Sequence, residues 1–140
     1  MATDDQLPRA IIARFFSGPP EKSTDVSVEL LETMANALSG IIGENGFESL
    51  LSRAVRRVSK DFPWLHFDAR SRLSDPEFEQ FRRCFQAQSP TDTQAASILL
   101  FSTFVDILAL LVGAHLTNII LENALGRAYA SQLSKEQHNG

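Results

Sequence analysis

The residues of this chain that could do chemistry are few, and three of them follow one another near the C-terminal end. His115, Asn118 and Glu122 are spaced by three and four positions, so they share one side of a predicted helix. His115 and Glu122 would lie roughly 10 Å apart along the axis, too far to bind one metal ion. Neither Glu-x-x-His nor His-Glu-x-x-His occurs, so we predict no metal site. We interpret the three as polar groups beside an apolar stripe; alternatively, Asn118 and His115 fix the register of the helix.

Asp106 is the most informative single residue, because it stands inside the apolar stretch 104–111. An ionised carboxylate is costly there unless it is exposed or paired. We predict that Asp106 either marks the solvent-facing line of its helix or pairs with an arginine of the basic region 53–83. A protonated acid is the third alternative, which a pKa above about 6 would favour. With Asn118 and Glu122, Asp106 completes a set of predicted buried polar residues.

An aromatic connector offers the one candidate ligand site. Phe62, Trp64, His66 and Phe67 lie close together in the sequence, and flat rings of this kind could line a pocket for haem or another tetrapyrrole. His66 or His115 would then be the axial ligand, with Trp64 and Phe67 as lining residues. The alternative is an aromatic plug that closes one end of a helical bundle. We predict no cofactor.

Charge is unevenly distributed along the 140 residues. Residues 1–52 hold 3 basic and 8 acidic side chains, residues 53–83 hold 8 and 5, and residues 84–140 hold 2 and 4. The net charge of -4 and a pI near 5.3, without a helix-turn-helix or RNA-binding signature, argue against nucleic acid as the partner. The basic region predicts either a patch for an anion or acidic partner or a solvated face paired with acidic residues from 1–52. Its candidate residues are Arg53, Arg56, Arg57, Lys60, Arg82 and Arg83.

Catalytic motifs are scarce. Cys84 follows two arginines that could lower its pKa, yet it shares a helix face with Phe81 and Phe85, which favours a core position. No Gly-x-Ser-x-Gly occurs, and the glycines at 43 and 46 lack the Lys-Ser/Thr of a phosphate loop. The residues leave an enzyme open but favour a non-catalytic role.

Helical periodicity dominates the elements that must position these residues. A short helix over Pro8–Phe16 precedes a Pro-Pro hinge, and a second helix runs from Ser23–Asp25 to Ile42, with Gly43 as its C-cap. Apolar spacing and boundary residues predict three further helices, which begin at capping boxes: Asn45–Glu48, Ser74–Glu77 and Thr91–Gln94. The pattern then stays helical to Leu133, and Gly113 either kinks or breaks it. We expect Leu116, Ile119 and Ile120 to face inward.

These elements predict an all-α, single-domain bundle of five to six helices around a buried hydrophobic C-terminal helical hairpin. We expect an N-terminal arm with its hinge in residues 1–20, the bundle in 21–133 and a disordered tail in 134–140. Residues 97–112 are apolar nearly all round and form the predicted central helix. This run of 16 residues is shorter than the roughly 20 of a membrane span and contains Asp106, so we predict no span. An acidic start without a signal-peptide pattern and a single cysteine favour the cytoplasm.

The functional prediction is a non-catalytic helical interaction or regulatory module that self-associates, with a protein partner or a second copy as its ligand. The helix at Pro8–Phe16 suits an arm that is swapped onto a neighbouring subunit. The alternative is a small-molecule sensor or carrier, possible ligands including haem, with a pocket near Trp64 and His66.

Overall fold

The computed structural model describes residues 7–67 and 77–138, with the side chains of residues 9–67 and 77–126. Within these residues every regular element is helical and no strand occurs, which confirms the predicted all-α class. The elements in chain order are α1 (Leu7–Phe15), a 3-10 turn (Pro20–Lys22), α2 (Ser23–Val58), α3 (Glu79–Gln86), α4 (Pro90–Val112) and α5 (Ala114–His138).

Two glycines make corners in the long helices. Gly43, with φ 80° and ψ 164°, divides α2 into α2a (residues 23–42) and α2b (residues 44–58). Gly113, with φ 91° and ψ 156°, separates α4 from α5, so the last helical stretch is broken rather than kinked. Both conformations lie in a region of backbone space that is almost closed to residues with a Cβ atom. Because α2b resumes directly after the first corner, Asn45 lies inside the helix and not at its predicted N-cap.

The start of α4 differs by two residues from the prediction. Ser89, not Thr91, is the N-cap, and its hydroxyl accepts a hydrogen bond from the backbone N–H of Asp92 at 3.2 Å. Pro90 occupies the first turn, where its missing N–H costs nothing. Gln94, the predicted partner of Thr91, instead donates to the carbonyl oxygen of Phe16 at 2.5 Å.

The predicted capping box Ser74–Glu77 lies largely outside the described residues, which exclude 68–76. α3 begins at Glu79, directly after Phe78, a buried residue with a left-handed backbone (φ 56°). Phe81 and Phe85 of α3 are buried, on the apolar face that the spacing predicts.

α4 is the axis on which the other helices are arranged. Near its start it contacts the beginning of α2a, where Ser27 Oγ lies 2.6 Å from Ser97 Oγ. At the other end of α2a, Ile41 lines the same groove as Leu116, which follows the end of α4. α2a therefore runs parallel to α4, and α5 turns back along α2a. The two glycine corners consequently lie at the same end of the bundle.

α2b returns along α4 in the opposite direction. The ring centroid of Phe47, near the start of α2b, lies 5.8 Å from that of Phe104. The connector after α2b then brings Trp64 to 5.6 Å from Phe85, just before α4. Since aromatic pairs at such distances are in contact, α2b spans most of α4 and closes the core from a second side. Most of the deeply buried large side chains come from α2 and α4, and they include Phe101, Leu31, Met34, Leu38 and Leu51.

α1 packs on α4 and α5 of its own chain. Ile12 and Phe15 of α1 are buried in the core, and the ring of the following Phe16 stacks at 6.0 Å on Phe101. An arm exchanged between two copies would make the same contacts, so the swapped arm stays a prediction. The predicted domain boundaries also stay a prediction. In the structure, α5 continues to His138.

The hairpin of α4 and α5 is not buried on all sides, in contrast to the prediction. Leu110 and Leu111, in the last turn of α4, are 82% and 60% exposed. Leu116 and Ile119 of α5 are also exposed, whereas Ile120 is buried as expected. The reason lies in the topology: the chain turns at both glycine corners here, and no further helix of the described residues covers this end.

Candidate functional site

The aromatic connector packs upon itself and on α3. The rings of Phe62 and Trp64 meet edge to face at 5.8 Å, and Trp64 meets Phe85 in the same way. Phe67 meets Phe81 at 5.3 Å. His66 is exposed, and its backbone carbonyl accepts a hydrogen bond from the thiol of a half-buried cysteine at 3.2 Å. The described rings thus contact one another in edge-to-face pairs, and both the plug and the ligand pocket stay predictions.

The two candidate axial ligands are far apart. His66 belongs to the connector, which contacts residues just before α4, whereas His115 follows the end of α4. The 23 residues of α4 span roughly 34 Å, so the structure does not bring the two imidazoles to one site. His115 is exposed, like His66.

Asp106 pairs with Arg9 of α1, and not with an arginine of the basic region. Arg9 Nε lies 3.3 Å from Asp106 Oδ1, and an amino nitrogen of the same guanidinium bonds Oδ2. This side-chain hydrogen bond, together with the charge attraction to the carboxylate, raises the pKa of Arg9. The two side chains are 57% and 38% exposed, so Asp106 is half-buried rather than buried. The pair ties α1 to α4, and the sequence distance of 97 residues hid it from sequence reasoning.

The other predicted buried polar residues are more accessible than expected. Asn118 is half-buried and Glu122 is exposed, because their side of α5 is only partly covered. Glu122 lines a cavity of about 220 Å³ between α5 and α1, together with Arg14 and apolar side chains that include Phe15 and Leu125. Among the described residues, no three His, Cys, Asp or Glu side chains come close enough to hold a metal ion.

The six candidate cations of the basic region fall into two groups. Arg53, Arg56, Arg57 and Lys60 are exposed on and just beyond α2b. Arg82 and Arg83 lie on α3, where Arg82 binds Asp25 with 2.7 Å between Nη1 and Oδ1 while Arg83 is exposed. Arg82 is thus paired with an acidic residue from 1–52, which agrees with the alternative of a solvated face paired within the chain.

A surface that the sequence reasoning missed lies at the end of the bundle with both glycine corners. The exposed large aliphatic side chains of the described residues all lie there; we call them the apolar end: Ile41 (53% exposed), Leu110 (82%), Leu111 (60%), Leu116 (40%) and Ile119 (43%). They come from the consecutive helices α4 and α5 and from α2a, which lies about 70 residues earlier in the sequence. One feature of the sequence could have revealed this surface. The apolar run 107–112 continues up to Gly113, so large apolar side chains stand at the end of a helix.

A groove of about 630 Å³ runs between α2a and α5 from the apolar end. Ile41, Leu116 and Ile119 line its apolar part, and Ala37 and Ala124 belong to its walls. Further along, its lining becomes polar, with Glu29, Thr33, Asn36 and Asn123. The apolar end therefore combines protruding side chains with an adjoining concave surface.

α4 has the length and composition of a membrane-crossing helix, alone among the helices of the described part of the chain. The mean hydropathy of its most apolar 18-residue window is 2.3, and 44% of that window is buried in the protein. The core helix of a soluble bundle has the same property, so this finding carries no functional weight by itself.

No protein-family model, curated protein sequence or solved structure shows significant similarity to this chain.

Proposed function

We propose that this chain is a non-catalytic helical interaction module that self-associates through its apolar end. The observation that carries the proposal is the collection of five exposed aliphatic side chains at one end of the bundle. Single exposed apolar residues are ordinary on protein surfaces, but several at one end of a bundle, three of them lining one groove, are typical of an interaction site.

The size of the apolar end fits a dimer interface. Its five side chains expose on the order of 500 Å², toward the upper end of the 300–600 Å² range for the largest patch of a monomer. A standard interface buries about 800 Å² per partner, of which roughly 60% is apolar. The apolar end thus supplies about the apolar area that one partner of such an interface needs.

The free energy of burying the apolar end can be compared with the cost of association. The five exposed fractions add up to about three complete side chains, so their burial contributes roughly 4–8 kcal/mol per copy. Two copies together gain about 8–16 kcal/mol, against an association cost of about 4–15 kcal/mol. The difference supports only a weak dimer, and we expect a Kd on the order of 100 μM, which requires a net gain of about 5 kcal/mol.

A second copy is the occupant that we favour over a lipid surface. Residues 23–52 and 84–126 contain no Lys or Arg, so α2a, α4 and the described part of α5 offer no cation to anionic headgroups. Glu44, next to the first corner, is exposed and would be repelled by them. A two-fold dimer requires a self-complementary surface, and protruding leucines beside a groove supply one.

A non-catalytic role is supported by how the polar residues are separated. An enzyme would need Asp106, His115 or Glu122 to converge with the basic region. Asp106 instead pairs with Arg9, while His115 and Glu122 are exposed on α5, two turns apart. We include a regulatory or assembly role in the cytoplasm in this proposal, on the single cysteine among the 140 residues.

The proposal is tested with the double variant Leu110→Ser/Leu111→Ser. Sedimentation velocity from about 1 to 500 μM should show dimer formation for the unmodified chain and only monomer for the variant. Ala95→Ser, an exposed change on the same helix, is the control and should dimerise normally. Equal association of all three proteins would show that the apolar end is not the interface.

A further inference from the structure

We propose that the exposed cations on and just beyond α2b are a docking surface for an acidic polypeptide segment. This basic face consists of Arg53, Arg56, Arg57 and Lys60, and it is independent of the apolar end. Within the part of the chain that the structure describes, no ion pair explains why four cations stand together there.

The four cations form one ridge. They occupy positions i, i+3, i+4 and i+7 of a helical register, which places them within an arc of about 100° and over roughly 10 Å of helix length. All four are exposed. The opposite side of α2b is buried in the core through residues that include Ala54 and Val58, so the ridge points away from the bundle.

The pattern of charges opposes helix formation. Arg53 and Arg57 are like charges four residues apart within α2b, and such pairs destabilise a helix. Arg56 and Lys60 have the same spacing, but Lys60 lies in the turn that follows the helix. The positions four residues before Arg53 and Arg56 hold serines, where a glutamate would have formed a favourable pair. Within the described residues none of the four cations has an ion pair. The attraction of cations to a helix C-terminus favours Arg56 and Arg57 in the last turn but not Arg53.

The charge of the rest of the chain favours a short acidic segment as the occupant. Without these four cations the sequence holds nine Lys or Arg against seventeen Asp or Glu. A nucleic acid would extend past a ridge of this length and meet that acidic remainder. A membrane would gain no apolar anchor, because the exposed aliphatic side chains of the described residues lie at the apolar end. Carboxylates match the forked donors of three arginines, and the ridge is long enough for about two turns of a partner helix.

Arg53→Glu separates docking from a structural role. The new carboxylate stands three and four residues before Arg56 and Arg57, so it replaces two repulsions by two attractions and should raise the melting temperature. The same change reduces the charge of the basic face by two units and should weaken docking. If the basic face served only solubility, the Arg53→Glu variant would have a higher melting temperature and would bind the acidic segment as well as the unmodified chain does.

The test uses fluorescein-labelled octaglutamate as the probe, with fluorescence anisotropy on the full chain at about 50 mM NaCl. We expect the unmodified chain to bind with a Kd of tens of micromolar, and Arg53→Glu to bind at least about 10-fold more weakly. Lys22→Glu makes the same charge change at an exposed position outside the basic face, and its affinity should stay within about 2-fold. Arg57→Gln, the second variant, should also weaken binding.

Three results would overturn the proposal. The first is no binding of octaglutamate by the unmodified chain. The second is equal weakening by Arg53→Glu and Lys22→Glu, which would indicate a diffuse effect of net charge. The third is tighter binding of a thymidine oligonucleotide or of vesicles with phosphatidylserine than of octaglutamate, which would assign the basic face to a nucleic acid or to a membrane.

Discussion

The hydroxyls of Ser27 and Ser97 offer a quantitative test of how α2a is placed against α4. Both residues are fully buried, and their oxygens lie 2.6 Å apart. Ser97 donates its single hydroxyl hydrogen to the carbonyl oxygen of Thr93 at 2.7 Å, so Ser27 must be the donor between the two serines. This bond fixes the register that brings both glycine corners to one end.

The two serines should respond differently to removal. Ser97→Ala leaves the buried hydroxyl of Ser27 without an acceptor, and the free energy of unfolding should fall by about 1–3 kcal/mol. Ser27→Ala removes one hydrogen bond but leaves Ser97 bonded to Thr93, so we expect a loss of about 0.5–1.5 kcal/mol. The double variant has no stranded hydroxyl and should lose clearly less than the sum of the two.

Urea unfolding followed by circular dichroism measures these differences, provided that the slope of the transition is unchanged among the variants. Ser49→Ala, an exposed change on α2b, is the control and should alter the free energy by less than about 0.5 kcal/mol. Additive losses in the double variant, within about 0.3 kcal/mol, would mean that the hydroxyls are not bonded. The register of α2a on α4 would then be refuted.

Two further predictions concern the first glycine corner and the pair that holds α1. Gly43→Ala should destabilise the chain by roughly 1–3 kcal/mol because of its left-handed backbone, whereas Gly40→Ala, at an open helical position, should stabilise it by about 0.5–1 kcal/mol; thermal unfolding of both variants measures this, and equal effects would contradict the corner. Asp106→Asn should cost less than about 1 kcal/mol, since both partners are well exposed, and the cost should shrink further between about 50 and 500 mM NaCl in urea unfolding. A cost that is large and independent of salt would contradict an exposed ion pair.

Local patterns predicted the inward faces of several helices correctly. Phe47, Leu50, Leu51 and Val58 of α2b are all buried, as their spacing requires. Such predictions succeed because helical periodicity is a property of neighbouring residues. The predicted N-cap of α4 was wrong for a local reason. Ser89 and Thr91 are both good N-caps, and Pro90 favours Ser89 because proline is best placed in the first turn of a helix.

The errors that concern exposure and pairing have one cause, the topology of the bundle. Periodicity places Leu116 and Ile119 on an apolar stripe of α5, but it does not tell whether this chain or another molecule covers the stripe. Arg9 is close to Asp106 only because α1 folds back on α4. The separation of His66 from His115 likewise follows from the length of α4 between them.

The proposed self-association is tested most directly by sedimentation equilibrium of the unmodified full chain. We predict that the weight-average mass rises with concentration from 15.5 kDa toward twice that value, with the midpoint on the order of 100 μM. A mass that stays at 15.5 kDa up to about 500 μM would contradict a dimer formed through the apolar end.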